Sequence, residues 1–94
     1  MGILENWHED NLRGLLDRGF SLSFKKSGSE TSKPAEVLFV EHMDSFAQVI
    51  LWISGECEAE VANSNEGIVF SRSENVHDDK EFRILMEDII DRVG

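Results

Sequence analysis

Ninety-four residues carry nineteen acidic against nine basic side chains, a formal net charge of −10, with 40% of positions hydrophobic. That size holds one core and one domain, residues 1–94, and leaves no room for a large cleft with a scaffold around it. The acidic balance excludes nucleic acid and anionic membranes as partners and favours basic proteins, while the periodic hydrophobic pattern excludes an acidic disordered tail.

Residues 3–18 read as an amphipathic helix. Leu4, Trp7, Leu12, Leu15 and Leu16 give one broad apolar face, and Glu5, Glu9, Asp10, Arg13 and Asp17 lie opposite. Gly19 is placed to end the helix. Gly14 inside it costs about 1 kcal/mol against alanine, and its missing side chain would let a neighbour pack close.

Phe20, Leu22 and Phe24 alternate with Ser21 and Ser23, the pattern of a half-buried strand. Residues 25–34 are polar and read as a mobile loop, a solubilising hairpin tip in which Lys25, Lys26 and Lys33 gather with Arg18 nearby. Residues 36–41 form a strand that is apolar on both faces in its middle. Residues 46–53 are the most hydrophobic stretch, rich in β-branched and aromatic side chains, and suit a central strand because Ser54-Gly55-Glu56 signals a tight turn straight after it. Residues 57–62 alternate small apolar side chains with Glu58 and Glu60, and residues 67–71 make a short last strand.

The closing element is a helix in which Phe82, Leu85, Met86, Ile89, Ile90 and Val93 hold helical spacing. Asp78 and Glu81 are spaced as a capping box, and Asp79 and Arg92 complement the helix dipole at its two ends. One face of a sheet can accept both apolar helix faces. The expected fold is therefore α+β: an antiparallel β-meander of four to five strands with the N-terminal and C-terminal helices packed on one face.

A three-residue connection, Ser54 to Glu56, sets Ile53 opposite Cys57, Leu51 opposite Ala59 and Val49 opposite Val61, an apolar set that faces the helices. The other face then carries Gln48, Ile50 and Trp52 beside Ala62, Glu60 and Glu58. Tryptophan offers apolar area at low entropic cost, and carboxylates beside it can pair with lysine or arginine. Ile50, Trp52, Glu56, Glu58 and Glu60 are therefore the candidate partner-binding residues. Equally open is that the loop over residues 25–34, or a second copy, covers Trp52.

Catalytic chemistry is not expected. His8, His42 and His77 are scattered, one in a helix and two in expected turns, and no histidine or cysteine spacing suits a metal. Helix capping accounts for the acids beside His77. No glycine-rich phosphate loop or nucleophile elbow occurs. Glu58 and Glu60 on an open face read as a solvated pair. No cofactor is implied. Cys57, the lone cysteine, reads as core, excludes an intrachain disulfide and fits a reducing compartment. No apolar run is long enough to span a bilayer, the first residues lack signal-peptide character, and Asn6 spoils the myristoylation pattern that begins at Gly2. A cytoplasmic location is expected.

The opening helix with Trp7, the run Leu15-Leu16-Asp17-Arg18-Gly19-Phe20-Ser21-Leu22, the segment from Val49 through Trp52-Ile53-Ser54-Gly55-Glu56 to Val61, and the acidic closing helix together resemble the TriTu family of bacterial immunity proteins. The resemblance spans almost the whole chain. It implies an antitoxin that neutralises an Rhs polymorphic toxin delivered by type VI secretion, an ADP-ribosyltransferase that uses NAD to modify elongation factor Tu. It also implies a monomer in a one-to-one complex with the toxin domain, occluding its active site or target surface. The competing expectation is a small acidic secretion chaperone that binds an effector segment before export, often as a dimer. A third, a small enzyme using the acidic face, would need a perturbed carboxylate in a cleft.

Overall fold

The computed structural model describes residues 3–27 and 34–94. The elements run α1 (Ile3–Asp17), β1 (Ser21–Ser27), β2 (Ala35–His42), β3 (Ser45–Trp52), β4 (Glu56–Asn63), β5 (Gly67–Asn75) and α2 (Asp79–Val93). The five strands form one antiparallel sheet in the order of the sequence, and both helices pack on the same side of it. The expected α+β meander is thus the observed one, with five strands. The middle of the loop expected over residues 25–34 lies outside the described residues, while Lys25 to Ser27 belong to β1.

Each helix is closed by local chemistry. Gly19 adopts φ +90, a value that only glycine reaches cheaply. It lets the Phe20 N–H donate to the Leu15 carbonyl and the Gly19 N–H to that of Leu16, both at 3.0 Å. This is a Schellman ending, and Phe20 and Leu15, the positions that carry its apolar contact, are both buried in the core. At the start of α2 the Glu81 N–H donates to Asp78 Oδ1 at 2.8 Å. The Glu81 carboxylate reaches back to accept from the His77 N–H at 3.0 Å, one residue earlier than in the standard box.

The core lies between the sheet and the helices. Alternate residues of the central strands face it: Leu38 and Val40 from β2, Ala47, Val49 and Leu51 from β3, and Cys57, Ala59 and Val61 from β4. Leu4, Trp7 and Leu15 meet them from α1, and Phe82, Leu85, Met86, Ile89, Ile90 and Val93 from α2. Leu16, expected on the same apolar face, is 52% exposed. Two helices share one sheet face, so the buried arc of α1 is narrower than its apolar stripe. Arg83 ties the helices together on their outer side, at 2.8 Å from Asp79 and 3.8 Å from Asp10.

Three further expectations are corrected. β5 spans nine residues rather than ending at Ser71, because its ladder with β4 runs on to Glu56↔Asn75. Among the described residues, and apart from the helix's own backbone, no atom lies within 4 Å of a Cβ built on Gly14, so the close neighbour expected there is not found. His42 ends β2 instead of lying in a turn, and its ring stacks on Phe20 with centroids 4.5 Å apart.

Candidate functional site

The side of the sheet away from the helices is the candidate site, and strand register builds it. Leu51 pairs with Cys57, Val49 with Ala59 and Ala47 with Val61. Each partner of β4 is thus two residues earlier on β3 than expected. The connection is Ile53–Gly55 rather than Ser54–Glu56: Gly55 takes φ +98 and its N–H donates to the Trp52 carbonyl at 2.9 Å. A three-residue hairpin loop needs a left-handed residue at its last position, and only Gly55 supplies it cheaply. Ile53, expected against the helices, therefore sits in the turn and is 79% exposed. A shift of two keeps every side chain on its face, so the division of residues between the two faces survives.

Cross-strand rows on this face can be read in order. One row runs Lys25, Val37, Ile50, Glu58, Ser73, and the next runs Ser23, Phe39, Gln48, Glu60, Ser71. Beyond them Glu41, Phe46, Ala62 and Ile68 align at one end, and Ala35 and Trp52 at the other. The face is thus graded from β1 to β5: a serine edge bearing Lys25, an apolar centre, an acidic strand, and a strand of small polar side chains that begins at Ile68. Lys25 leans over the Phe39 ring, 5.5 Å from its centroid.

All five expected residues fall on this face or at its rim. Ile50 and Trp52 are half-buried, and Glu56, Glu58 and Glu60 are exposed along one strand. Among the described residues, neither Glu58 nor Glu60 makes an ion pair. Trp52 lies at the corner, where a recess of about 470 Å³ is lined by Pro34, Leu51, Ile53 and Val76 among others. Residues 28–33, offered as its cover, lie outside the described residues.

Val37, Phe39, Phe46 and Ile68 extend the apolar centre and were not among the expected contacts. The signal was present, since residues 36–41 are apolar on both faces and only one face can meet the helices. The exposed side chains of Phe46 and Ile68 sit at the far end of the face, near the Met43–Asp44 turn.

On the helix side, Glu36 is the one carboxylate of β2 drawn toward the core edge, paired across strands with Lys26 and Leu51. Burial, then the neighbouring Glu5 charge, push its carboxyl above the ordinary glutamate range; Lys26 and the backbone N–H groups of Leu4 and Glu5 oppose this. Glu36 thereby meets the positive end of α1, and the Lys26–Glu5 ion pair of 2.7 Å closes the same corner. Cys57 is buried, and burial first, then Glu74 and Glu58, push its thiol up to about 11. It is an inert core thiol. No group of three or more His, Cys, Asp or Glu side chains is arranged to hold a metal among the described residues.

Two helices on one side of a five-stranded meander, with the opposite side graded from apolar to acidic, define a small α+β protein with one sheet face that the helices leave open. The family model for the immunity protein TriTu matches residues 3–92. The chain belongs to the TriTu immunity protein family, and its role is that of an immunity protein, which binds a cognate toxin. Comparison with curated proteins and with solved structures gives no match. No helix among the described residues is long and apolar enough to cross a membrane.

Proposed function

We propose that this immunity protein neutralises a secreted NAD-dependent ADP-ribosyltransferase toxin of the Rhs type, delivered by type VI secretion and directed at elongation factor Tu. It acts in the cytoplasm as a monomer in a one-to-one complex, without chemistry of its own. The open sheet face occludes the toxin: Ile50 and Trp52 fill an apolar pocket, while Glu56, Glu58 and Glu60 meet arginine or lysine at the edge of its NAD-binding cleft. The observation that carries this reading is the row Val37, Ile50, Glu58, in which an apolar anchor adjoins an exposed carboxylate. Burying that apolar area would supply affinity, and the carboxylates would speed and orient encounter.

Coexpression with ADP-ribosyltransferase toxin domains tests it. Growth rescue is expected with one of them, along with loss of ADP-ribose incorporation into elongation factor Tu. The double variant Glu58→Lys/Glu60→Lys should weaken that complex at least about tenfold and flatten its salt dependence. Rescue without binding, or affinity untouched by both reversals, would remove this face from the interface.

A further inference from the structure

The β5 edge extends the same surface, and its backbone is open. β5 is the longest strand, nine residues, and it ends the sheet. The Val76 N–H donates to the Gly55 carbonyl at 2.8 Å. That bond fixes the alternation of the antiparallel ladder. Phe70, Arg72 and Glu74 turn their backbone groups toward β4, and Ser71, Ser73 and Asn75 turn theirs off the edge. Among the described residues no backbone bond from Ser71, Ser73 or Asn75 leads outward.

Exposed edges are usually blunted by charge or proline. The opposite edge, β1, carries Lys25 and Lys26. β5 has no proline, and its two charges, Arg72 and Glu74, pair with each other at 3.2 Å. They project to the helix side, with Ala59 and Cys57. On the open face, beyond Ile68 at its start, β5 shows Ser71, Ser73 and Asn75, opposite Glu60, Glu58 and Glu56. Strands lie about 4.8 Å apart, so a strand added beyond β5 runs about 10 Å from β4. Glutamate from one side and lysine or arginine from the other span that distance over the small serines. Ile68 and Val69, 64% and 47% exposed, add apolar area at the start of the edge.

We infer that β5 accepts an extended segment of the basic partner as a sixth strand, with lysine or arginine at alternate positions that pair with Glu58 and Glu60 across Ser73 and Ser71. Main-chain hydrogen bonds to Ser71, Ser73 and Asn75 supply affinity, and the glutamate row supplies register and choice. The assignment rests on the open face being the partner-binding face. A second copy is disfavoured because it brings another charge of −10 to the acidic edge.

The test is amide hydrogen exchange on the full chain with a ten-residue peptide of alternating lysine and threonine, at about 1 mM. A peptide of the same composition with its lysines clustered is the control. In the free chain the Ser71, Ser73 and Asn75 amides should exchange fast and those of Phe70, Arg72 and Glu74 slowly. The alternating peptide should slow the first three roughly tenfold, as expected for a ligand well above its Kd, and the clustered one should not. Ser73→Pro removes an outward N–H without removing a bond to β4 and should abolish the protection. Ser73→Lys, which keeps the N–H, should cut peptide affinity roughly fivefold by like charge. No protection at 1 mM, equal protection by both peptides, or concentration-dependent protection without peptide would overturn the inference. With the rescued toxin domain, affinity lowered by Glu58→Lys but untouched by both Ser73 variants would sink strand addition alone and leave the face reading standing.

Discussion

Ile50 and Glu58 stand directly opposite each other on β3 and β4, on the side of the sheet that carries no helix. In a complex formed through this face, an aliphatic side chain and a carboxylate so placed would act at different stages of association. Apolar area released from water holds a complex together, whereas exposed charge steers the approach. Ile50→Ala should raise the dissociation rate of the toxin complex several-fold and leave association almost unchanged. Trp52→Ala should cost about 2 kcal/mol of binding, within the range of interface anchors. Glu58→Lys should act mainly on association, and its effect should shrink as salt is added. Stopped-flow and surface-capture kinetics at two ionic strengths separate these outcomes.

Glu36 gives a pH signature. Its carboxyl is raised in the folded state, so between the ordinary glutamate pKa and the raised value the native chain binds more protons than the unfolded one. Stability from this group is complete below the unfolded pKa and is lost as pH rises through the folded one. Glu36→Gln removes the titration. The stability of the variant relative to the parent should therefore increase from about pH 4 to pH 7. Denaturant unfolding at both pH values checks it. A difference that is constant with pH would contradict the raised carboxyl.

Cys57 should be slow to react. With its pKa near 11, about one thiol in a thousand is ionised at pH 8, and the side chain is buried besides. Alkylation by iodoacetamide should run at least about a hundredfold slower in the native chain than in guanidinium. Mass spectrometry over time reads the ratio directly.

Gly14 is an exposed glycine in the interior of α1, with open space among the described residues where a Cβ would stand. Gly14→Ala should stabilise the chain by about 0.5–1 kcal/mol, because alanine loses less backbone freedom on folding. A domain of this size should gain about 4 °C in thermal midpoint. At the other helix, Asp78→Ala removes the N-cap bond to Glu81 and should cost about 1 kcal/mol.

The composition of the open face was legible because strand side chains alternate with a period of two. Leu51, Val49, Cys57 and Ala59 could only be apolar together on one side, which placed Ile50, Trp52, Glu58 and Glu60 on the other whatever the register. The register itself was not legible, since it depended on where Gly55 took a left-handed φ, and both loop choices kept the faces intact. Val37 and Phe39 were missed because residues 36–41 are apolar on both faces: one set had to lie on the open face, but the pattern did not say which, while Phe46 followed from its alternation with Gln48 and Ile50. Glu36 offered no sequence signal, because the backbone N–H groups of Leu4 and Glu5 that it meets are some thirty positions away.

Local order lay in the amino-acid string itself. Gly19 and Asp78 mark helix ends through bonds to residues no more than five positions away, and helix and strand periods sort core from surface within each segment. Neighbours distant in the chain were decided only by folding. The length of β5 came from continued pairing with β4, and the exposure of Leu16 from two helices competing for one sheet face. The open backbone of Ser71, Ser73 and Asn75 came from β5 ending the sheet. Each is a contact, or a missing contact, between segments whose meeting no short-range preference encodes.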